Sequence, residues 1–144
     1  MEKNTEQRYT ILVADDSDMN RFMLRNMLEE SYDITEAEDG PHAVELLQKQ
    51  DTEISLVLLD IVMPNLDGFG VLAAMNKNQW IESTPVIMIS AENTQSYIER
   101  AYELGVTDYI SRPFDVMVVR QRVINTIMLY AKQKRLVAMV ADQI

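Results

Sequence analysis

The chain has no cysteine, no long apolar run and a shortage of basic residues. Without cysteine among its 144 residues, a disulfide framework, a thiolate metal site and a thiol nucleophile are excluded. No apolar stretch approaches the ~20 residues of a membrane span, and the polar start Met1-Glu2-Lys3-Asn4-Thr5-Glu6-Gln7-Arg8 lacks the apolar core of a signal peptide. No membrane association is expected, and the cytoplasm is the expected compartment. Basic side chains number 13 against 23 acidic ones, for a net charge of −10. The imbalance is uneven, because residues 1–114 hold 8 basic and 21 acidic side chains while residues 115–144 hold 5 and 2. An acidic body repels phosphate backbones, so direct nucleic-acid binding is not expected, and the mildly basic tail is too weak to change that. No internal repeat or low-complexity segment is present.

What the chain does have is a repeated pattern. Ile11-Leu12-Val13-Ala14 runs into Asp15-Asp16, Leu56-Val57-Leu58-Leu59 into Asp60, Val86-Ile87-Met88-Ile89 into Ser90, and Tyr109-Ile110 into Ser111-Arg112-Pro113. Continuous apolar runs of this length read as strands buried on both faces, hence a parallel sheet. In an open parallel sheet the carboxyl ends of the strands share one edge, where ligands bind. The acids, the hydroxyl and the cation should therefore converge. A weaker alternating segment, Asp33 to Ala37, reads as an edge strand.

Helical patterns fill the intervals, so the expected class is α/β with right-handed crossovers. Ser17 or Asp18 caps a first helix with Met19, Phe22, Met23 and Met27 on one stripe. Gly40-Pro41 opens a second, and the turn-rich Met63-Pro64-Asn65-Leu66-Asp67-Gly68 precedes a third. Asn93 or Thr94 caps a fourth that stops at Gly105, a left-handed cap. A last helix occupies the chain from Phe114 onward.

Clustered carboxylates suit a hard, oxygen-seeking cation, and Mg²⁺ in particular keeps its waters and uses one or two protein carboxylates. A carboxylate beside such a cation can attack phosphorus and form an aspartyl phosphate. Ser90 would then hydrogen-bond one phosphoryl oxygen and Arg112 neutralise another. Taken singly, each residue has a plainer reading: an acid pair at a helix start complements the dipole, and an Arg before Pro is often solvated. Asp60 is the exception, since an Asp closing a fully apolar strand needs a partner to offset its desolvation.

With those residues in view, the chain resembles the receiver domain of a two-component response regulator. The matching pieces are Leu12-Val13-Ala14-Asp15-Asp16-Ser17, Leu58 to Gly68, Ile89-Ser90-Ala91 and Gly105 to Phe114. The resemblance implies a flavodoxin-like, doubly wound five-stranded parallel sheet in order 2-1-3-4-5 with helices on both faces. It divides the chain into a flexible start at 1–8, a receiver domain at 9–130 and a helical extension or linker at 131–144. It implies that Asp60 is the phosphoacceptor, that Asp16 binds Mg²⁺ directly and that Asp15 does so at the outer edge or through water. The Val62 backbone carbonyl completes the ligands, Ser90 is the switch hydroxyl, and Tyr109 is the aromatic that turns inward after it. The donor would be a sensor histidine kinase or a phosphotransfer protein, with no turnover chemistry beyond the domain's own phosphorylation and dephosphorylation. Without metal, Asp15, Asp16 and Asp60 are expected to repel one another.

One position departs from the family pattern, which has Lys where this chain has Arg112. A planar guanidinium keeps the charge but places its donors differently from a compact ammonium. The alternative reading is accordingly a pseudo-receiver, an interaction module with impaired switching. A rival enzyme reading takes Asp16-Ser17-Asp18 as the Asp-x-Asp start of a haloacid-dehalogenase-like phosphatase, which leaves the Asp60 loop unexplained.

The last helix extends past where a receiver's would end. Ala131 to Ile144 contains no Gly or Pro, and the helix running out at Asp142-Gln143-Ile144 without a stop signal reads as a cut from a longer chain. Val116, Arg120, Val123, Ile127, Tyr130, Lys134, Val137, Ala141 and Ile144 recur at spacings of four and three. The part to Ile127 should pack on the sheet, and the part beyond Tyr130 should form a parallel homodimer with Lys134 at a core position.

Overall fold

The computed structural model describes residues 8–49 and 53–143. Of the N-terminal segment expected to be flexible, residues 1–7 lie outside the described residues, as does Ile144 of the heptad stripe. Arg8 is anchored, its guanidinium donating to Asp33 and to the carbonyls of Glu29 and Glu30.

Strands and helices alternate along the chain: β1 (Thr10–Ala14), α1 (Asp18–Leu28), β2 (Asp33–Ala37), α2 (Gly40–Lys49), β3 (Ile54–Leu59), α3 (Gly68–Lys77), β4 (Val86–Ser90), α4 (Gln95–Glu103), β5 (Asp108–Ser111) and α5 (Val116–Asp142). A short 3₁₀ turn at Trp80–Glu82 leads into β4. The five strands form one parallel sheet in order β2-β1-β3-β4-β5, the flavodoxin-like order. Caps stop and start the helices where side-chain chemistry permits. Ser17 accepts from the Asn20 amide, Asp67 from the Gly70 amide and Asp115 from the Met117 amide. Gly105 ends the α4 segment at φ +102°, a conformation only glycine adopts without strain.

Because successive side chains on a strand point to opposite faces, the apolar runs split between two cores. Leu12, Val57, Leu59 and Met88 pack under α2, α3 and α4, and Ile11, Leu56, Leu58, Ile87 and Ile89 pack under α1 and α5. This is why the runs show no polar alternation: both faces of β1, β3 and β4 are covered.

Two helix faces differ from the sequence expectation. In α1 the buried side is Arg21, Leu24 and Leu28, while Met19, Phe22 and Met23 face outward, Met19 at 69% exposure. Arg21 tolerates burial because it is fully engaged, with Nε on Glu36 at 3.0 Å, one Nη on the Asp15 carbonyl and the other on Asp18. In α5 the inward side is Val119, Val123, Thr126 and Ile127, and Val116 and Arg120 turn outward. The expected and observed stripes share Val123 and Ile127. Choosing Val119 and Thr126 over Val116 and Arg120 avoids burying an unpaired guanidinium.

Replacing Leu58, which is 1% exposed, by Ala should cost about 2–5 kcal/mol. Arg135→Ala, exposed on the far end of α5 and outside its apolar residues, should change stability by less than about 0.5 kcal/mol. Urea denaturation followed by circular dichroism checks both.

Candidate functional site

Backbone pairing carries the sheet one residue beyond its strand ends, and those residues are the ones singled out from sequence. The Asp15 amide donates to the Ala37 carbonyl at 3.1 Å, the Asp60 amide to Ala14 at 3.0 Å and the Arg112 amide to Ser90 at 2.9 Å. Three residues distant in sequence are thereby fixed along one edge of the sheet, Asp15 and Asp60 at the ends of the adjacent strands β1 and β3 and Arg112 at the end of β5, beyond β4. Asp16 follows Asp15 on the more exposed rim, and Ser90 closes β4, 1% exposed.

One carboxylate oxygen from each of Asp15, Asp16 and Asp60 lies within 4.8 Å of the others. Asp15 and Asp60 are buried and Asp16 is exposed. An all-oxygen set of this kind, partly desolvated and open on the Asp16 side, fits a hard divalent cation. Val62, two residues past Asp60, turns its side chain outward. Burial, reinforced by the charge of Asp15, pushes the Asp60 carboxyl above its ordinary range against the opposing effects of Arg112, Ser90 and the Ile61 amide.

Arg112 lies inside the cluster. Its Nη2 donates to Asp15 Oδ2 at 2.6 Å and its Nη1 to Asp60 Oδ2 at 3.4 Å. The acids are therefore not a bare trio of like charges, since one guanidinium spans two of them. The second oxygen of each carboxylate is held by backbone, Asp15 Oδ1 by the Ser17 amide at 2.9 Å and Asp60 Oδ1 by the Ile61 amide at 2.8 Å.

Ser90 and Tyr109 meet at Glu92. The Glu92 amide donates to Ser90 Oγ at 3.2 Å, and the Tyr109 hydroxyl donates to the Glu92 carbonyl. Tyr109 is buried already, whereas the sequence reading has it turn inward only after phosphorylation. The hydrogen bond to Glu92 offsets the cost of enclosing its hydroxyl.

Three contributors escaped the sequence reading. Arg21 braces the acid loop from beneath through the Asp15 carbonyl. The Ile61 amide orients Asp60, which no side-chain pattern reveals. Gly68 begins α3 directly against the Asp60 backbone, where an added Cβ would lie 2.3 Å from the Asp60 carbonyl oxygen. Its place, eight residues after Asp60 at a helix start, is the signal that close packing was needed. Beside the acids, Asn20, Met23, Ala91, Arg112, Pro113 and Phe114 line a shallow groove of about 420 Å³.

This edge of the sheet is the functional edge of a signalling module. The chain belongs to the response regulator receiver domain family, whose profile matches residues 11–124, and it is a two-component signalling domain. It is 35% identical over 114 residues to the transcriptional regulatory protein SrrA of Staphylococcus aureus, covering 78% of this chain and 45% of that one. The chain spans less than half the length of the curated relatives it matches. The CheY-like receiver domain protein of Methanospirillum hungatei superposes with a TM-score of 0.79 at 19% identity, covering 88% and 99% of the two chains. In the CheX–CheY–BeF₃–Mg²⁺ complex of Borrelia burgdorferi the TM-score is 0.75 at 30% identity, covering 81% and 87%. Among the described residues no helix is long and apolar enough to cross a membrane.

Gly68→Ala should destabilise the fold by about 1–3 kcal/mol, because the new Cβ forces the Asp60 backbone or α3 to move. Thermal melting checks this, and Gly70→Ala, which meets only the Leu66 side chain at short range, should cost less.

Proposed function

We propose that the chain accepts a phosphoryl group on Asp60 from a sensor histidine kinase or a phosphotransfer protein. The observation that carries this reading is the division of labour at the Asp60 carboxylate. Oδ1 is fixed by the Ile61 amide, and Oδ2 is turned toward Arg112 and the acid cluster, so one oxygen orients the group and the other is presented on the side where a donor would approach. Oδ2 forms the bond to phosphorus as the bond from phosphorus to the donor's histidine nitrogen breaks, and that nitrogen recovers a proton from solvent. Asp16, Asp15, Asp60 and the Val62 carbonyl would hold Mg²⁺, which supplies positive charge against the oxygens of the transferring group. Ser90 Oγ and the Arg112 guanidinium provide the remaining donors.

The same geometry connects the site to a surface. Ser90 Oγ accepts from the Glu92 amide and the Tyr109 hydroxyl donates to the Glu92 carbonyl, so a Ser90 hydroxyl drawn toward Asp60 pulls on the segment leading into α4. A partner has somewhere to dock: Met19, Phe22 and Met23 expose an apolar stripe on α1 beside the groove at Phe114.

Incubation with a small acyl phosphate and Mg²⁺ should add one phosphoryl group to the intact mass of the wild type and none to Asp60→Asn. Equal labelling of the two overturns Asp60 as acceptor. No labelling of the wild type, with Mg²⁺ binding intact, supports the pseudo-receiver instead.

The α5 extension supports a parallel homodimer. Beyond Tyr130 the helix leaves the sheet, and Leu136, Val137, Met139 and Val140 are all exposed, Val137 at 69%. Lys134 is held by Glu53 of the chain's own body at 2.7 Å, which removes it from the core position expected of it. The free stripe is instead Leu129, Leu136 and Val140, and burial of such side chains is worth roughly 1.5–3 kcal/mol each. Sedimentation should show a dimer for the wild type and a monomer for the Leu136→Glu, Val140→Glu variant. A monomer for both, with and without phosphoryl donor, rejects the dimer.

A further inference from the structure

Arg112 takes up the two carboxylate oxygens that an incoming cation most needs. Backbone amides already engage Asp15 Oδ1 and Asp60 Oδ1. Both Oδ2 atoms lie on the one guanidinium, at 2.6 and 3.4 Å. The side chain is only 15% exposed, so these pairs are shielded from water. Its Nε is buried and has no hydrogen-bond partner among the described residues. The two carboxylates are thus the only anchors of the guanidinium among the described hydrogen bonds and ion pairs. Its planar fork is what allows one side chain to span both acids, which a point-like ammonium does less well.

The geometry points to Arg112 as a tethered counter-cation that competes with the divalent metal for Asp15 and Asp60, and so sets the metal affinity of the site. This rests on the metal-binding reading above and adds to it a determinant of affinity. A divalent ion and a guanidinium on neighbouring oxygens repel at short range in a partly dry pocket, so metal entry requires Arg112 to withdraw. It has somewhere to go, since Arg112 also lines the open groove with Asn20, Met23, Ala91, Pro113 and Phe114. Withdrawn to that side, the guanidinium gives up both Oδ2 atoms but stays tethered at the end of β5, and a phosphoryl group on Asp60 would offer it new oxygens in their place. One cation thus serves in turn as a substitute for the metal and as a partner for the phosphoryl oxygens.

The competition makes a prediction opposite to that of a supporting residue. Removing a residue that helps build a metal site weakens binding, whereas removing a competitor strengthens it. Isothermal titration of Mg²⁺ into the full chain should show Arg112→Ala binding roughly tenfold more tightly than wild type, since one adjacent charge typically alters a carboxylate's affinity for a cation by that much or more. Arg112→Lys should fall between them. Equal or weaker binding by both variants overturns the competition while leaving the metal assignment standing. Absence of Mg²⁺ binding in all three overturns the metal assignment and the competition with it. A second readout uses the wild type alone and does not depend on a variant folding. The Arg112 Nε–H resonance, assigned by its loss in Arg112→Lys, should shift in step with Mg²⁺ saturation, and a resonance that stays fixed while Mg²⁺ binds overturns the proposal.

Discussion

The hydrogen-bond ladder that runs past the ends of β1, β3 and β5 is the constraint on which the site depends. A parallel sheet brings strand ends to one edge, but an edge alone leaves side chains free to point anywhere. Here Asp15, Asp60 and Arg112 are each still paired through their backbone amides to the neighbouring strand. Their Cα positions are therefore set by sheet register, not by loop conformation. Two acids and a base separated by as many as 97 residues end within direct reach of one another. The cost of placing charge there is met locally, by the guanidinium across the two buried carboxylates and by single backbone amides on their other oxygens.

The same device appears a second time beneath the site. Arg21 and Arg25 both reach Glu36 on the edge strand β2, at 3.0 and 2.6 Å, and Arg21 continues to the Asp15 carbonyl. Burial alone would raise the Glu36 carboxyl, yet the two guanidiniums hold it below its ordinary range. Edge strand, first helix and acid loop are thus joined by charge where packing is thinnest, since β2 has no strand on its outer side and its residues are mostly half-exposed. Removing Glu36 would take the shared acceptor from both guanidiniums and leave the largely buried Arg21 with fewer partners for its charge, which costs more than a single exposed pair contributes.

The strands, their order and most of the site could be read in advance because apolar runs and the chemistry at their ends are properties of consecutive residues. Asp15, Asp60, Ser90 and Arg112 lie where those runs stop. The helix faces were harder. α1 offers two apolar arcs, Met19–Phe22–Met23 and Leu24–Leu28, and the arc that faces inward is the one that includes an arginine. Periodicity weighs Arg21 as polar, and only the positions of Glu36 and the Asp15 carbonyl make it an inward residue. For α5 the two candidate stripes share half their members, and the difference rests on whether Arg120 finds a partner. The inward position of Tyr109 depends on the Glu92 carbonyl seventeen residues away, a backbone acceptor that side-chain patterns do not display.

The length of α5 has a mechanical consequence. At 1.5 Å per residue its 27 residues extend about 40 Å. Among the described residues its buried side chains are Val119, Val123, Thr126 and Ile127, and the ion pair of Lys134 with Glu53 is the last to tie it to the body. The helix is a lever with a short loaded arm on the sheet and a long free arm beyond it. A small tilt where α5 meets β3 and α1 is magnified at Gln143 in proportion to distance from that pivot. Angular adjustments too slight to disturb the core would be delivered at the far end as displacement.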